Sequence, residues 1–183
     1  MDRRVVRTKK AIRAAFLTLM IENGPDKITV KDIADRADVD RKTVYNYYRG
    51  VEDILGEIEN ELIASFETAM DSLAGEFDPK AYFVVLAELI EKDMDLYELL
   101  MRSSHLSFVT KAVVVLNKWL QKALTKTRNL DTEKVATATE YIAAGIFCAY
   151  RRWFASDRRK SLKEFSIELY ELVIHGLPTY LLK

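Results

Sequence analysis

The chain has 183 residues, a formal net charge of zero and 49% apolar residues. This composition supplies a core for one domain or two small ones, and it excludes a disordered protein. The single cysteine, Cys148, excludes a disulfide scaffold, and no apolar run reaches the roughly 20 residues that a membrane span needs. Because the first residues contain no apolar export segment, we expect a soluble cytoplasmic protein that does not contact membranes.

The neutral total conceals three segments of different charge. Residues 1–50 carry 12 basic and 7 acidic side chains, residues 51–100 carry 2 and 14, and residues 101–183 carry 14 and 7. Charge asymmetry between segments is itself a functional signal. The zero total therefore does not exclude a nucleic acid as partner.

Helices are predicted in the first third of the chain, because apolar residues recur there at helical spacing. The first helix buries an apolar stripe from Ile12 to Met20. This helix is predicted to end at Gly24, which can adopt a positive φ. A short helix capped by Thr29 follows. After a tight turn at residues 38–40, a second short helix is predicted from about Arg41 to Tyr48.

The rest of the chain also predicts helices, since glycine and proline are scarce. A long acidic helix is predicted to end at Gly75, and Asp78 and Pro79 begin the next helix. Two further segments run from Leu96 to about Met101 and from Ser107 to Thr127. A helix of about two dozen residues, marked by Val135 and Trp153, follows, and the last helix runs from a capping box at Ser161 to Gly176. No strand-like alternation is visible, so the predicted fold class is all-α with about nine helices.

The pair of short helices has the chemistry of a helix-turn-helix. In that motif the second helix presents polar, basic and aromatic side chains to the DNA major groove. Arg41 and Lys42 can donate to guanine or phosphate, and Asn46 can read adenine. The Thr43 methyl can meet a thymine methyl, and tyrosine hydroxyls such as that of Tyr45 can bind phosphates.

The stretch from Arg7 to Leu55 resembles the TetR family of bacterial transcriptional regulators. The resemblance rests on Ala15-Phe16-Leu17, on Glu22-Asn23-Gly24 and on the run from Ile28 to Tyr48. It implies that a set of residues on and around the two short helices contacts DNA: Thr29, Val30, Lys31, Arg41, Lys42, Thr43, Tyr45, Asn46, Tyr47 and Arg49.

Two positions depart from the family pattern. Asp38 stands where the family usually has a turn glycine, and aspartate tolerates left-handed φ better than most residues. Val51 stands where the family commonly has a lysine that contacts a phosphate. Arg49 is the residue that could take over this contact.

The resemblance also implies a helix-turn-helix domain over residues 1–50 and a ligand-binding, dimerising domain over residues 51–183. A homodimer fits a palindromic operator, because each of the two half-sites needs one helix-turn-helix domain, which we call a head. Candidate dimer residues lie on the last two long helices: Ile142, Gly145, Ile146, Ala149, Leu169, Leu172, Val173 and Gly176. Packing within one chain is the alternative for all of them.

A ligand pocket is expected among the middle helices. The candidate lining residues are large or polarisable: Phe66, Met70, Phe83, Met101, His105, Phe108, Trp119, Tyr141 and Cys148. Each also suits plain core packing, and His105, which lies among serines, could orient a polar ligand or be a surface histidine. No dense set of charged residues is visible, so the ligand is expected to be largely apolar or aromatic.

Catalysis is not expected. The chain has no nucleotide-binding glycine loop, its two histidines are seventy positions apart, and one cysteine cannot build a Cys-rich metal site. We therefore expect no catalytic residue, no metal and no cofactor. The expected function is a repressor that binds a double-stranded operator and is modulated by a small ligand. The alternatives are a DNA-binding regulator without such an inducer, controlled by a protein partner or acting as an activator, and an all-α ligand carrier or enzyme.

Overall fold

The computed structural model describes residues 3–24, 27–73, 78–103, 106–127, 131–157 and 160–181, without the side chains of residues 126–127 and 177–181. Within these ranges the chain forms nine α-helices and no strand, which confirms the predicted fold class. The helices are α1 (Arg3–Asn23), α2 (Val30–Ala37), α3 (Arg41–Tyr45), α4 (Val51–Ser72), α5 (Pro79–Glu91), α6 (Met94–Arg102), α7 (Ser107–Thr127), α8 (Thr132–Ala155) and α9 (Leu162–Leu181).

The chain divides into two compact units, one up to Leu62 and the other from Ile63 onward. The sequence places the functional boundary about three turns earlier, between residues 50 and 51. The difference arises because the first turns of α4 belong to the N-terminal unit, where Ile54 and Ile58 are buried. The division at residue 50 remains a prediction about function.

The N-terminal unit has a core that follows the predicted helical stripe. The α1 residues Ile12, Phe16 and Met20 are at most 1% exposed. Ile33 of α2 is also fully buried in this unit. At the end of α1, Gly24 has a φ of 75° and donates its N–H to the carbonyl of Met20 at 3.0 Å. The predicted helix end is thus confirmed.

The C-terminal unit consists of the rest of α4 and of α5 to α9, with helix starts that match the predicted caps. Asp78 accepts hydrogen bonds from the N–H groups of Lys80 and Ala81, with Pro79 in the first turn. Ser161 and Glu164 form a reciprocal capping box. These caps satisfy backbone donors that the first turn of a helix leaves free.

Two further predicted helix ends lie at glycines. The predicted end of α4 at Gly75 lies outside the described residues, and α4 is described as far as Ser72. Gly176, at φ 72° and ψ 175°, is not helical, so the helix that begins at Leu162 is interrupted there as predicted, and a second helical segment reaches Leu181.

In the described part of the chain, no single helix has the length and apolar character to cross a membrane. The bent pair Met94–Arg102 and Ser107–Thr125 passes that test jointly, by length and composition only.

Candidate nucleic-acid interface

The first short helix, α2, is fixed at its start by a capping box. Thr29 donates its hydroxyl to Asp32 Oδ2 at 2.6 Å, and it accepts the N–H of Asp32 at 3.2 Å. The N–H of Thr29 also binds Asp32 Oδ2, at 3.0 Å. The hydrogen bonds from Thr29 lower the pKa of Asp32. The Thr29 hydroxyl, a predicted DNA contact, is therefore already used within the chain.

The turn between α2 and α3 depends on Asp38, which has φ 54° and ψ 50°. In this left-handed conformation its N–H, and that of Val39 at 3.0 Å, donate to the carbonyl of Ala34. The expectation that aspartate can replace the usual turn glycine is confirmed. The turn directs the chain into α3 without a glycine.

The second short helix, α3, is shorter than predicted. It ends at Tyr45, whereas the sequence predicts an end at Tyr48. The reason lies beyond the helix, because Tyr48 is buried and donates its hydroxyl to Glu57 of α4 at 3.0 Å. Asn46 and Tyr47 consequently lie in a turn after α3, where the N–H of Tyr47 binds the carbonyl of Val44.

Most side chains predicted to contact DNA are exposed around a buried anchor. Val44 is fully buried and holds α3 against the unit, while Tyr45 is 57% exposed. Arg41, Lys42 and Asn46 are exposed, and their side chains have no hydrogen bond or ion pair with the described residues. Such free donors are what a base edge or a phosphate requires.

The remaining predicted contacts are placed less uniformly. Thr43, Tyr47 and Val30 are half-buried, and Lys31 is exposed. Arg49 is exposed, and its backbone N–H donates to Asp53 at 2.8 Å at the start of α4.

An ion-pair network that sequence reasoning missed joins this region to α1 and α4. Glu57 is its centre, and it accepts hydrogen bonds from Lys9 at 2.6 Å, Tyr48 at 3.0 Å and Arg13 at 3.3 Å. The Lys9 ammonium also lies 5.1 Å from the centre of the Tyr48 ring, and Arg13 forms a further pair with Glu61. Two of the basic residues at the start of the chain thus serve the fold of the unit.

The network also fixes protonation states. Partial burial alone would raise the pKa of Glu57, but the bonds from Lys9 and Tyr48 and the charge of Arg13 hold it below its ordinary value. The hydrogen bond from Arg13 lowers the pKa of Glu61. Burial and the bond to Glu57 raise the pKa of Tyr48, so its phenol remains a donor.

The candidate ligand residues of the C-terminal unit are divided by burial. Phe66, Met70, Phe83, Met101 and Phe108 are 1–4% exposed, and Trp119 is 9% exposed.

Two candidates were wrongly assigned to the interior. Tyr141 is 79% exposed and Cys148 is exposed, so neither can line a cavity inside this chain. They lie on the outer face of α8, because Ala143, Ile146 and Tyr150 occupy its inner face. His105 lies outside the described residues.

The candidate dimer residues also separate. Ile146 and Leu169 are 2% and 5% exposed, so they pack in the core of their own chain, and their assignment to a dimer interface is corrected. Gly145 is exposed, and the other five candidates are half-buried: Ile142, Ala149, Leu172, Val173 and Gly176.

Two open grooves lie on the C-terminal unit. One, of about 520 Å³ including open solvent, lies between α5 and α9 and has Phe83 and Tyr170 in its wall. The other, of about 710 Å³ including open solvent, lies between α4 and α7 and is bordered by Met70 and Trp119. Three of the predicted ligand residues therefore border a groove. No group of side chains in the described ranges could hold a metal ion.

Comparison with known proteins agrees with the geometry of the N-terminal unit. Residues 12–58 match the family described as bacterial regulatory proteins, tetR family. The N-terminal domain belongs to the TetR family. The resemblance drawn from the sequence is thereby confirmed, and the match covers α2, the turn and α3 of this TetR domain.

Relatives extend this finding. An uncharacterized HTH-type transcriptional regulator, YxbF of Bacillus subtilis (strain 168), is 40% identical over 55 residues, which are 30% of this chain and 14% of that protein. The match thus spans only a small part of that relative.

Solved structures share the whole fold. A TetR transcriptional regulator from Streptococcus agalactiae 2603V is 22% identical and has a TM-score of 0.74, covering 94% of this chain and 96% of the other. FadR from Bacillus subtilis, solved in complex with stearoyl-CoA, is 22% identical and has a TM-score of 0.65, covering 92% and 98%. At this identity the likeness establishes the fold.

Proposed function

We propose that this chain is a sequence-specific DNA-binding transcriptional regulator that acts as a repressor. The observation that carries the proposal is the TetR-type helix-turn-helix, in which Arg41, Lys42 and Tyr45 are exposed around the buried Val44. Arg41 and Lys42 supply donors to guanine or phosphate. Asn46 supplies a side-chain amide, whose N–H and C=O can both hydrogen-bond to adenine. Lys31, Arg49 and the Tyr45 hydroxyl are assigned to phosphates.

The proposed operator is a palindrome bound by a homodimer. Two-fold symmetric heads must lie about 34 Å apart to enter successive major grooves. The outer face of α8 supports this arrangement, because it exposes Tyr141, Gly145 and Cys148. A small residue such as Gly145 permits close approach of a second helix, and exposed tyrosines are enriched at interfaces.

The proposed effector is a small, largely apolar molecule. The candidate residues beside the two grooves are aromatic or thioether side chains: Met70, Phe83 and Trp119. The FadR structure was solved with stearoyl-CoA, and this supports an acyl thioester as the first ligand to test. Effector binding would shift the population of α4 positions and so change the spacing of the two heads.

A regulator without a small-molecule inducer is the second candidate. It is favoured by the tight packing of Phe66, Met101 and Phe108, each at most 4% exposed. An enzyme or ligand carrier has less support, because the matched family and the structural neighbours named above are regulators. We propose that the regulator acts in the cytoplasm.

The test begins with selection of double-stranded DNA from a random pool by the purified protein. We expect enrichment of a palindrome, and weaker binding of that palindrome by Arg41→Ala at unchanged helicity. Enrichment of no sequence would contradict the proposal.

The second step adds stearoyl-CoA to the protein–operator complex and measures release of the operator. Release supports the apolar effector, whereas undiminished operator binding at saturating ligand favours the regulator without an inducer.

A further inference from the structure

A buried tyrosine in the C-terminal unit has an unsatisfied hydroxyl. Tyr82 of α5 is 2% exposed, and its hydroxyl finds no hydrogen-bond partner in the described part of the chain. A buried polar group normally has a partner, since its desolvation is otherwise uncompensated. The hydroxyl of Tyr82 therefore requires an explanation that folding alone does not supply.

The neighbouring tyrosine on α8 shows the ordinary arrangement. Tyr150 is also buried, but its hydroxyl lies 2.7 Å from Ser166 Oγ. The Ser166 hydroxyl donates to the carbonyl of Leu162 at 2.8 Å, so Tyr150 is the donor to Ser166. This network is complete without Tyr82.

Tyr82 can act only as a neutral donor or weak acceptor. Burial, and then the nearby Tyr150, raise its pKa well above the ordinary value. The phenol therefore stays protonated at physiological pH, and the partner it lacks is best supplied by an acceptor oxygen.

The surroundings of Tyr82 are aromatic. Its ring stacks on the indole of Trp119, with centroids 5.7 Å apart and planes at 27°, and meets the ring of Phe83 edge-on at 5.0 Å. Trp119 Nε1 donates to the carbonyl of Met70 at 3.0 Å. A flat apolar molecule would find the same stacking surface on Tyr82.

Trp119 also borders the α4–α7 groove. It lies in the wall with Met70, beside Lys118 and Lys122. The indole is thus both the layer packed on Tyr82 and part of the wall of the groove. An arrangement in which such a side chain has moved aside becomes populated when a ligand stabilises it.

We propose that the Tyr82 hydroxyl anchors a flat, apolar effector through one neutral acceptor oxygen, such as a carbonyl, and that this effector takes the place of the Trp119 indole. The inference rests on the proposed function, since it names the chemistry of the effector. Selectivity comes from the hydroxyl, because a ligand without an acceptor would leave it unsatisfied.

The test uses two ligands of the same shape, 4-fluoroacetophenone and 4-fluoro-α-methylstyrene, which differ only by a carbonyl oxygen in place of a methylene group. Fluorine NMR titration of the full chain measures the affinity of each. We expect the ketone to bind about tenfold more tightly than the alkene, the difference that one net hydrogen bond provides. Tyr82→Phe should reduce the affinity of the ketone to that of the alkene, without loss of thermal stability, because it removes an unpaired hydroxyl.

The chain offers a matched control in Tyr97, whose hydroxyl is also buried without a partner among the described residues. Tyr97→Phe should leave the preference for the ketone unchanged. Equal affinity of ketone and alkene, no binding of either, or a preference that survives Tyr82→Phe would overturn the proposal.

The two indole N–H signals report the displacement of Trp119. On addition of the ketone, the N–H signal of Trp119 should move as its bond to Met70 breaks. The N–H signal of Trp153, which donates to the carbonyl of Lys160 at 3.2 Å, should stay in place. An unmoved Trp119 signal at saturation would contradict the exchange.

These measurements contain no DNA, so their outcome is separate from that of the proposed function. Binding of the ketone without release of the operator would contradict only the effector role. Release of the operator by stearoyl-CoA with no ketone preference would contradict only the role of Tyr82.

Discussion

Two tyrosines three positions apart have opposite environments. Tyr45 is 57% exposed, whereas Tyr48 is 3% exposed and donates to Glu57. The first is free to bind a phosphate and the second fixes the chain that follows α3. Their difference separates the tyrosine that we assign to DNA recognition from the one that stabilises the fold.

Removal of the Tyr45 hydroxyl tests its proposed role. Tyr45→Phe should weaken operator binding about tenfold, because a hydrogen bond to a charged phosphate contributes more than about 1 kcal/mol. Thermal stability should not change, since the hydroxyl has no partner among the described residues. Fluorescence anisotropy with the selected operator measures the effect.

Tyr97→Phe is the control, because Tyr97 lies in the C-terminal unit, outside the proposed α8 interface, and its hydroxyl also has no partner among the described residues. It should bind the operator as the unsubstituted protein does. Equal affinities for the Tyr45 and Tyr97 variants would remove Tyr45 from the DNA contacts.

Among the elements, α4 is joined to the rest of the N-terminal unit by hydrogen bonds of its acidic side chains. Its first turns accept hydrogen bonds from α1 through Lys9 and Arg13, from the segment after α3 through Tyr48, and from the backbone of Arg49. The acidic character of α4 is therefore partly structural.

Acid should weaken the N-terminal unit. The folded-state pKa values of Glu57 and Glu61 are lowered, so their contribution is present above the ordinary value of 4.5 and is lost as pH falls through the folded values. We expect the thermal midpoint, followed by circular dichroism, to fall as pH decreases below about 4.5.

The double variant Glu57→Gln, Glu61→Gln should be less stable at pH 7 and should lose less stability on acidification. Glu164→Gln is the control, because its lowered pKa belongs to the cap of α9. If the stability of the double variant depends on pH in the same way as that of the unsubstituted protein, Glu57 and Glu61 are not the source of the acid sensitivity.

The elements also show which features sequence reasoning can predict. The start of α5 at Pro79 and the span of α7 follow from local caps and apolar spacing, and both were predicted. The role of Glu57 was missed, because its partner Lys9 is 48 positions away. The end of α3 was missed, because it depends on the burial of Tyr48 and on its bond to Glu57. On α8, small and aromatic residues surround the helix, so the sequence did not distinguish buried Ile146 from exposed Tyr141.

For the whole molecule, dimerisation determines whether two heads can bind one palindrome. Gly145 is exposed on α8, and a Cβ added there would have no heavy atom within 4 Å. A side chain at this position is therefore compatible with the fold of one chain, while it would obstruct a second helix packed on the same face.

Gly145→Arg should convert the dimer to a monomer. Sedimentation should give about twice the chain mass of 21.1 kDa for the unsubstituted protein and the chain mass for the variant. Thr110→Arg, at an exposed position of α7, should remain dimeric. A monomeric unsubstituted protein, or a dimeric Gly145 variant, would contradict the proposed α8 interface.

A molecule with zero net charge can still bind DNA with strong salt dependence when its charges are unevenly distributed along the chain. In the proposed complex the exposed Lys31, Arg41, Lys42 and Arg49 act on the phosphates locally, while half of the acidic residues, 14 of 28, lie from position 51 to 100. If six or more phosphates are neutralised, operator affinity should fall roughly 10³-fold or more between 50 and 200 mM salt.

Lys42→Gln should reduce the slope of the plot of log affinity against log salt concentration by about 1 for each bound head. Lys163→Gln, in the basic C-terminal third, is the control and should not change this slope. A flat salt response would mean that the uneven charge of the chain does not act on DNA.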